Sequence, residues 1–187
     1  MYKILLVDDE INVLHALQRS LRQLKLAIKL DVTLCSDPKQ AIDQIAHTQF
    51  DLIIADYHMP QLNGIDFLRI AKEMQPEMVR MMLSASADFT TIMSAVNEAE
   101  VFRYLTKPWE KEELEKNIHD AITRRDQLLS ERQYIDEGRL LWGEISAQEI
   151  EARRLERLEP GITKVRWNAE GAVLLDGING DKPNKSS

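Results

Sequence analysis

A chain of 187 residues, 44% apolar and 29% charged, can bury one core of ordinary size with a small appendage, and wholesale disorder is excluded. Its formal charge of −7 and pI near 5.2 argue against a broad surface for nucleic acid or anionic membrane. A single cysteine, Cys35, excludes an internal disulfide framework; neither a basic leader nor an apolar run of membrane-spanning length is found, so a cytoplasmic protein is expected.

Residues 3–7 and 50–55 are short, continuous apolar runs that predict buried strands. Between them, apolar residues at 11, 14, 17, 21 and 24 predict a helix from Ile11 to Leu24, and the alternating run Ala27–Leu34 predicts a second, less buried strand, with Cys35 following it as a small packed hydrophobe. Asp37-Pro38 opens the next helix, with proline at its first position. A loop over 57–64 follows the strand ending at Asp56; a helix through Ile65, Leu68, Ile70 and Met74 stops at Gln75-Pro76. Val79–Leu83 predicts a fourth strand, roughly 88–98 a fourth helix, Val101–Leu105 a fifth strand and Glu110–Arg125 a fifth helix. Strand and helix alternate five times, which predicts an α/β doubly wound parallel sheet over residues 1–125.

Residues 126–160 change texture: charged, with scattered apolar residues, they predict a helical extension that Gly138 and Gly143 interrupt. A second helix starts after Ser146, where Ser146 and Glu149 have the form of a capping box, and ends at Pro160-Gly161. Residues 161–176 shift to strand periodicity around Asn168–Gly171 and predict a β-hairpin, while 177–187 predict a disordered tail. Trp109 is expected to seal the end of the sheet against the following helix, and Trp142 and Trp167 to bury against each other or the hairpin.

Four polar signals close the apolar runs: Asp8-Asp9, Asp56, Ser84 and Lys107-Pro108. The C-terminal ends of parallel strands are where open α/β sheets gather ligands. Three crowded carboxylates repel one another unless a cation neutralises them, and Mg²⁺ accepts such a hard-oxygen shell. Asp8, Asp9 and Asp56 are therefore the expected metal ligands, with the backbone carbonyl of His58. An aspartate at a buried strand end beside a cation can attack phosphorus, and Lys107 can offset charge on the transferred group while Ser84 donates to it. Glu10 is expected to tune the field without ligating. His15, His47 and His119 lie in separate helices without metal-ligand spacing.

The segments Ile4–Glu10, Asp56–Pro60 with Gly64, Ser84-Ala85 and Tyr104–Pro108 together resemble the receiver domain of two-component response regulators, over residues 1 to about 122. The resemblance implies the flavodoxin-like strand order 2-1-3-4-5 and phosphotransfer from a histidine kinase or phosphotransfer protein to Asp56, with Mg²⁺. It also implies coupling through Ser84 and Tyr104 to the face made by the fourth helix, fifth strand and fifth helix. Lys107-Pro108-Trp109 is similar to receivers of regulators with HD-type phosphodiesterase outputs or serving metabolic and hydrogenase systems.

Residues 110–160 hold 9 Lys or Arg against 14 Asp or Glu, the wrong field for a duplex. The roughly 60 residues beyond the domain are too few for an enzymatic output. The leading expectation is a regulator that signals by changing its contacts with an unidentified downstream protein or by homodimerisation. The alternatives are a phosphorelay intermediate or phosphate sink and, less favoured, a truncated DNA-binding transcriptional regulator.

Overall fold

The computed structural model describes residues 1–85, 97–143, 145–158, 166–167 and 173–174. Within it, β1 (Tyr2–Val7), β2 (Leu30–Cys35), β3 (Leu52–Asp56), β4 (Val79–Ser84) and β5 (Arg103–Thr106) form one parallel sheet in the order β2-β1-β3-β4-β5. The doubly wound architecture and the strand order are those expected. The central strands lie under helices on both faces, so apolar residues run through them without alternation. Leu5, Val7, Ile53 and Ala55 enter one apolar cluster with α2 (Pro38–His47) and α3 (Gly64–Met74). Their neighbours Ile4, Leu6, Leu52 and Ile54 enter the other, with α1 (Ile11–Arg22) and the first half of α4 (Lys111–Leu141).

Local chemistry starts the helices where the sequence marks them. The Asp37 carboxylate accepts from Lys39 N–H at 2.8 Å with Pro38 in the first turn, and Asn63 Oδ1 accepts from Asp66 N–H at 2.9 Å. Gln75, expected only as a helix stop, is buried and holds three backbone groups of the α2–β3 connection. It accepts from Phe50 N–H at 3.0 Å and donates to the carbonyls of Ile45 and Thr48 at 2.7 Å each.

Two boundaries differ from expectation. Helix α1 ends at Arg22 and β2 begins at Leu30, so Ala27–Lys29 is not strand. Strand pairing begins at Tyr2↔Leu30; Leu24, Leu26 and Ile28 pack half-buried against the core, which gives them their alternation. Strand β5 occupies Arg103–Thr106, shifted from the expected Val101–Leu105, in register with Met81–Ser84. Of the predicted fourth helix, Asn97–Ala99 is helical and residues 86–96 lie outside the described residues.

Helix α4 passes residue 125 without a break and continues through Gly138 to Leu141. Gly138 therefore does not interrupt it. The stop is Gly143, at φ +71°, the left-handed conformation that ends helices, with its N–H on the Leu140 carbonyl at 3.0 Å. Helix α5 (Ala147–Leu158) then opens on the expected capping box: Glu149 N–H donates to Ser146 Oγ at 3.1 Å and Ser146 N–H to Glu149 Oε2 at 2.7 Å. Arg153 reaches Asp136 of α4 at 3.2 Å, and Asp136, 3% exposed, also faces Arg132 at 3.7 Å. Between α5 and the N-terminal edge of the sheet lies a cavity of about 750 Å³, bordered by Lys3, Asp51, Arg125, Leu129, Ile150 and Arg154.

Trp142 does not bury as expected: it is 81% exposed, because α5 docks on the opposite side of α4. Trp109 does pack against the core, with Nε1 donating to Ser20 Oγ at 3.0 Å. Strands β6 (Arg166–Trp167) and β7 (Val173–Leu174) pair antiparallel as a hairpin requires. The expected helix end at Pro160-Gly161, the hairpin turn and the tail 177–187 lie outside the described residues.

Candidate functional site

At the C-terminal ends of β1, β3 and β5 the sheet gathers Asp8, Asp56 and Lys107. Asp56 is the last residue of β3 and 4% exposed; Asp8 follows β1 and is 2% exposed. The Lys107 ammonium lies 2.7 Å from Asp8 Oδ2 and 2.7 Å from Asp56 Oδ1, bridging the two carboxylates. Backbone N–H groups take the remaining oxygens: Glu10 N–H donates to Asp8 Oδ1 at 2.9 Å and His58 N–H to Asp56 Oδ2 at 2.7 Å. The peptide between Lys107 and Pro108 is cis.

The electrostatics are unbalanced toward negative charge. Burial pushes the Asp8 carboxyl above its ordinary value, although Lys107 and the Glu10 N–H pull the other way. Burial alone would lower the Lys107 ammonium; its hydrogen bonds to Asp56 and Asp8 outweigh that and raise it. Two nearly buried carboxylates thus share one ammonium.

Asp9 is exposed beside this pair, and among the described residues no three His, Cys, Asp or Glu side chains stand together as a ready metal cage. The ammonium fills the space between the two carboxylates. What remains still suits a hard, partly hydrated divalent cation, because Mg²⁺ is ordinarily held by one or two carboxylates with water completing the shell. Two nearly buried carboxylates facing a single ammonium are the arrangement that favours such an ion.

Other expected residues are placed around this centre. Ser84 closes β4, fully buried, and its carbonyl accepts from Lys107 N–H at 2.8 Å, so serine and lysine are tied through the backbone. Tyr104 lies in β5, half-buried against the cluster that contains Met82, Ala99 and Val101. Gly64 is required by contact: a Cβ there would fall 2.2 Å from the Asp56 carbonyl and 2.9 Å from Tyr57 Cα. Glycine lets the start of α3 lie directly on the backbone that carries Asp56.

The His58 ring is exposed and packs edge-on against Tyr57 at 4.5 Å between centroids. Sequence reasoning used only its carbonyl and missed its N–H on Asp56, a contact fixed by loop geometry and independent of side-chain identity. His15, His47 and His119 are exposed and lie in three separate helices, α1, α2 and α4. Cys35 is buried, its thiol donating to the Asp37 carbonyl at 3.2 Å, and burial raises its pKa.

A model of the response regulator receiver domain matches residues 4–119. The hydrogenase transcriptional regulatory protein HoxA of Bradyrhizobium diazoefficiens is 33% identical over 120 residues, 64% of this chain and 24% of that protein. A two-component response regulator of Arabidopsis thaliana is 34% identical over 125 residues, 66% of this chain and 31% of that protein. The chain thus spans about a quarter to a third of the length of these relatives. Among solved structures, the signal receiver domain of an HD domain-containing protein from Pseudomonas fluorescens Pf-5 superimposes with a TM-score of 0.62 at 31% identity, covering 67% of this chain and 98% of that one. With the matched segment reaching all five strands of the sheet and holding Asp8, Asp56 and Lys107 at their ends, this chain belongs to the response regulator receiver family of two-component systems.

Proposed function

We propose that Asp56 accepts a phosphoryl group from a histidine kinase or a phosphotransfer protein, and that the resulting acyl phosphate changes the protein's contacts with itself or a downstream protein. The observation that carries this reading is the setting of Asp56. One oxygen faces the Lys107 ammonium and the other a backbone N–H, at the C-terminal end of β3 where a second carboxylate stands alongside.

In the step proposed, a carboxylate oxygen of Asp56 forms a bond to phosphorus as the donor's P–N bond breaks, and the departing imidazole takes up a proton. The Lys107 ammonium, which bridges two carboxylates beforehand, exchanges its Asp56 contact for a phosphoryl oxygen while Asp8 keeps it in place. Ser84 and Tyr104 respond to the new oxygen charge at the adjoining strand ends. Asp8, Asp9, Asp56 and the His58 carbonyl would hold Mg²⁺; when bound, it offsets charge on the phosphoryl oxygens. Water attack at the same centre returns the aspartate.

The HoxA relative is named as a transcriptional regulatory protein. For this chain the acidic surplus in residues 110–160 favours signalling by protein contact over duplex binding. The reading is tested with acetyl phosphate as the donor and a phosphate-affinity gel as the readout. Wild type should shift in the presence of Mg²⁺ and not with chelator; Asp56→Ala should not shift at all; Lys107→Ala should shift at least tenfold more slowly. Normal Mg²⁺-dependent incorporation in the Asp56 variant would overturn the assignment. Reversible return of the phosphoryl group to a histidine-containing partner would instead identify a relay.

A further inference from the structure

Arg80 is a charged residue inside an otherwise apolar strand. Strand β4 is buried along its whole length, and Arg80, its second residue, is 5% exposed. A buried guanidinium destabilises the fold unless its N–H groups find acceptors. Here all three nitrogens do. Nη1 donates to the Met78 carbonyl at 2.6 Å and the Pro76 carbonyl at 3.4 Å, in the connection from α3. Nε donates to the Ala99 carbonyl at 2.9 Å, and Nη2 lies 3.5 Å from Glu100 Oε2, in the connection to β5. The backbone carbonyl of Arg80 also accepts from Phe102 N–H at 2.8 Å. One residue of β4 thus holds the chain at Ala99, Glu100 and Phe102, immediately before β5 begins.

Strand β5 has little else to fix its register. It is an edge strand of four residues, paired to β4 alone among the described strands, and of its own side chains only Leu105 is buried. Register is strongly specified where a strand buries a whole face, and weakly where it does not. Ala99 and Val101 pack into the core ahead of it, but apolar contact is non-directional, whereas a hydrogen bond selects one carbonyl. The strand nevertheless leads straight to Lys107, whose ammonium lies 2.7 Å from both Asp8 and Asp56. A slip of one residue would displace it by about 3.3 Å, enough to break both contacts.

We propose that Arg80 is a positioning residue for Lys107: by holding the entry to β5 it sets the register that delivers the ammonium to the two carboxylates. This rests on the proposed phosphoacceptor role of Asp56 and adds to it a residue at the opposite end of the sheet. The Lys107 N–H on the Ser84 carbonyl, at 2.8 Å, pins the exit of the same strand. Arginine suits the entry because its planar fork addresses both connections at once, which the single ammonium of a lysine cannot do.

The test is a double-mutant cycle on the full chain, with Arg80→Met and Lys107→Ala made singly and together. The readouts are the initial rate of Asp56 labelling by acetyl phosphate with Mg²⁺, at a temperature where circular dichroism shows each variant folded, and amide hydrogen exchange. Arg80→Met should slow labelling about threefold or more in the wild-type background and by less than about 1.5-fold once Lys107 is alanine, because residues acting through one another are not additive. Exchange at the Lys107 amide should quicken while the β1–β3 ladder is unchanged. An undiminished labelling rate in Arg80→Met, the same fold loss in both backgrounds, or unaltered exchange at Lys107 would overturn the proposal. If Arg80→Met does not fold, Arg80→Lys, which keeps a cation in the site but loses the fork, runs the same cycle. Absence of Asp56 labelling in the wild type would sink the phosphoacceptor reading itself; labelling with additive losses would sink only the role of Arg80.

Discussion

Single residues with no chemical role carry much of the site's precision. Gly64→Ala puts a methyl 2.2 Å from the Asp56 carbonyl, so α3 or the β3 strand end must move. A loss of about 1–3 kcal/mol in denaturant titration is expected, with slower phosphate incorporation as well. Gln75→Leu leaves Phe50 N–H and the carbonyls of Ile45 and Thr48 without their side-chain partner. Each unsatisfied buried group costs about 1–3 kcal/mol, so a loss near 3 kcal/mol or more should be seen in the same titration. Cys35, a buried thiol with a raised pKa, should react with a thiol reagent at neutral pH only slowly until denaturant is added. Asp8, Asp56 and Lys107 were legible in the sequence because each ends an apolar strand run. Gln75 and the His58 N–H were not, since their partners are backbone atoms from loops whose path no side-chain pattern encodes.

At the level of elements, the period of the apolar residues told strand from helix, and pairing partners set the ends. The alternation at 24–28 imitates a strand, yet pairing with β1 begins only at Leu30. Gly138, about 1 kcal/mol worse than alanine in a helix, does not break α4, whereas Gly143 in the left-handed region does. The capping box at Ser146 was readable because both of its residues are side-chain signals. Ser146→Ala should cost α5 about 1 kcal/mol, read as faster hydrogen exchange over residues 147–158 with the sheet unchanged. Arg153→Ala removes a tie between α5 and α4 and should accelerate exchange in the same segment without affecting Asp56 phosphorylation.

For the whole molecule, two carboxylates give stability opposite dependences on pH. Glu100 is held below its ordinary value, first by Lys72 at 2.6 Å and then by Arg80 at 3.5 Å. Its contribution is present above the unfolded carboxylate value and is lost as the pH falls below about 4.5 through the folded one. Glu100→Gln should flatten the acid limb of a stability–pH curve. Asp8 is shifted upward by burial, so folding favours its protonated form, and its ionisation lowers stability as pH rises through the folded value. Asp8→Asn should therefore raise the melting temperature of the metal-free chain at neutral pH. A bound ion stabilises the wild type by mass action, about 2.7 kcal/mol at a hundredfold excess over Kd. Asp8→Asn should lose most of that Mg²⁺-dependent gain, which thermal melts with and without Mg²⁺ will show. Among the described residues no helix is long and apolar enough to cross a membrane.

Strand β3 and helix α4 are fastened together at both ends. At one, Lys107, four residues ahead of α4, holds Asp56; at the other, Arg125 within α4 holds Asp51, the residue before β3, at 3.1 Å. The lower joint, Arg125 on Asp51, borders the cavity under α5. Beyond it α4 extends a further 16 residues to Leu141, about 24 Å at 1.5 Å per residue. Arg125 is thus a fulcrum with space around it and a long arm beyond it. A tilt of about 5° there would carry the tip by about 2 Å, the length of the arm enlarging a small movement at the strand end.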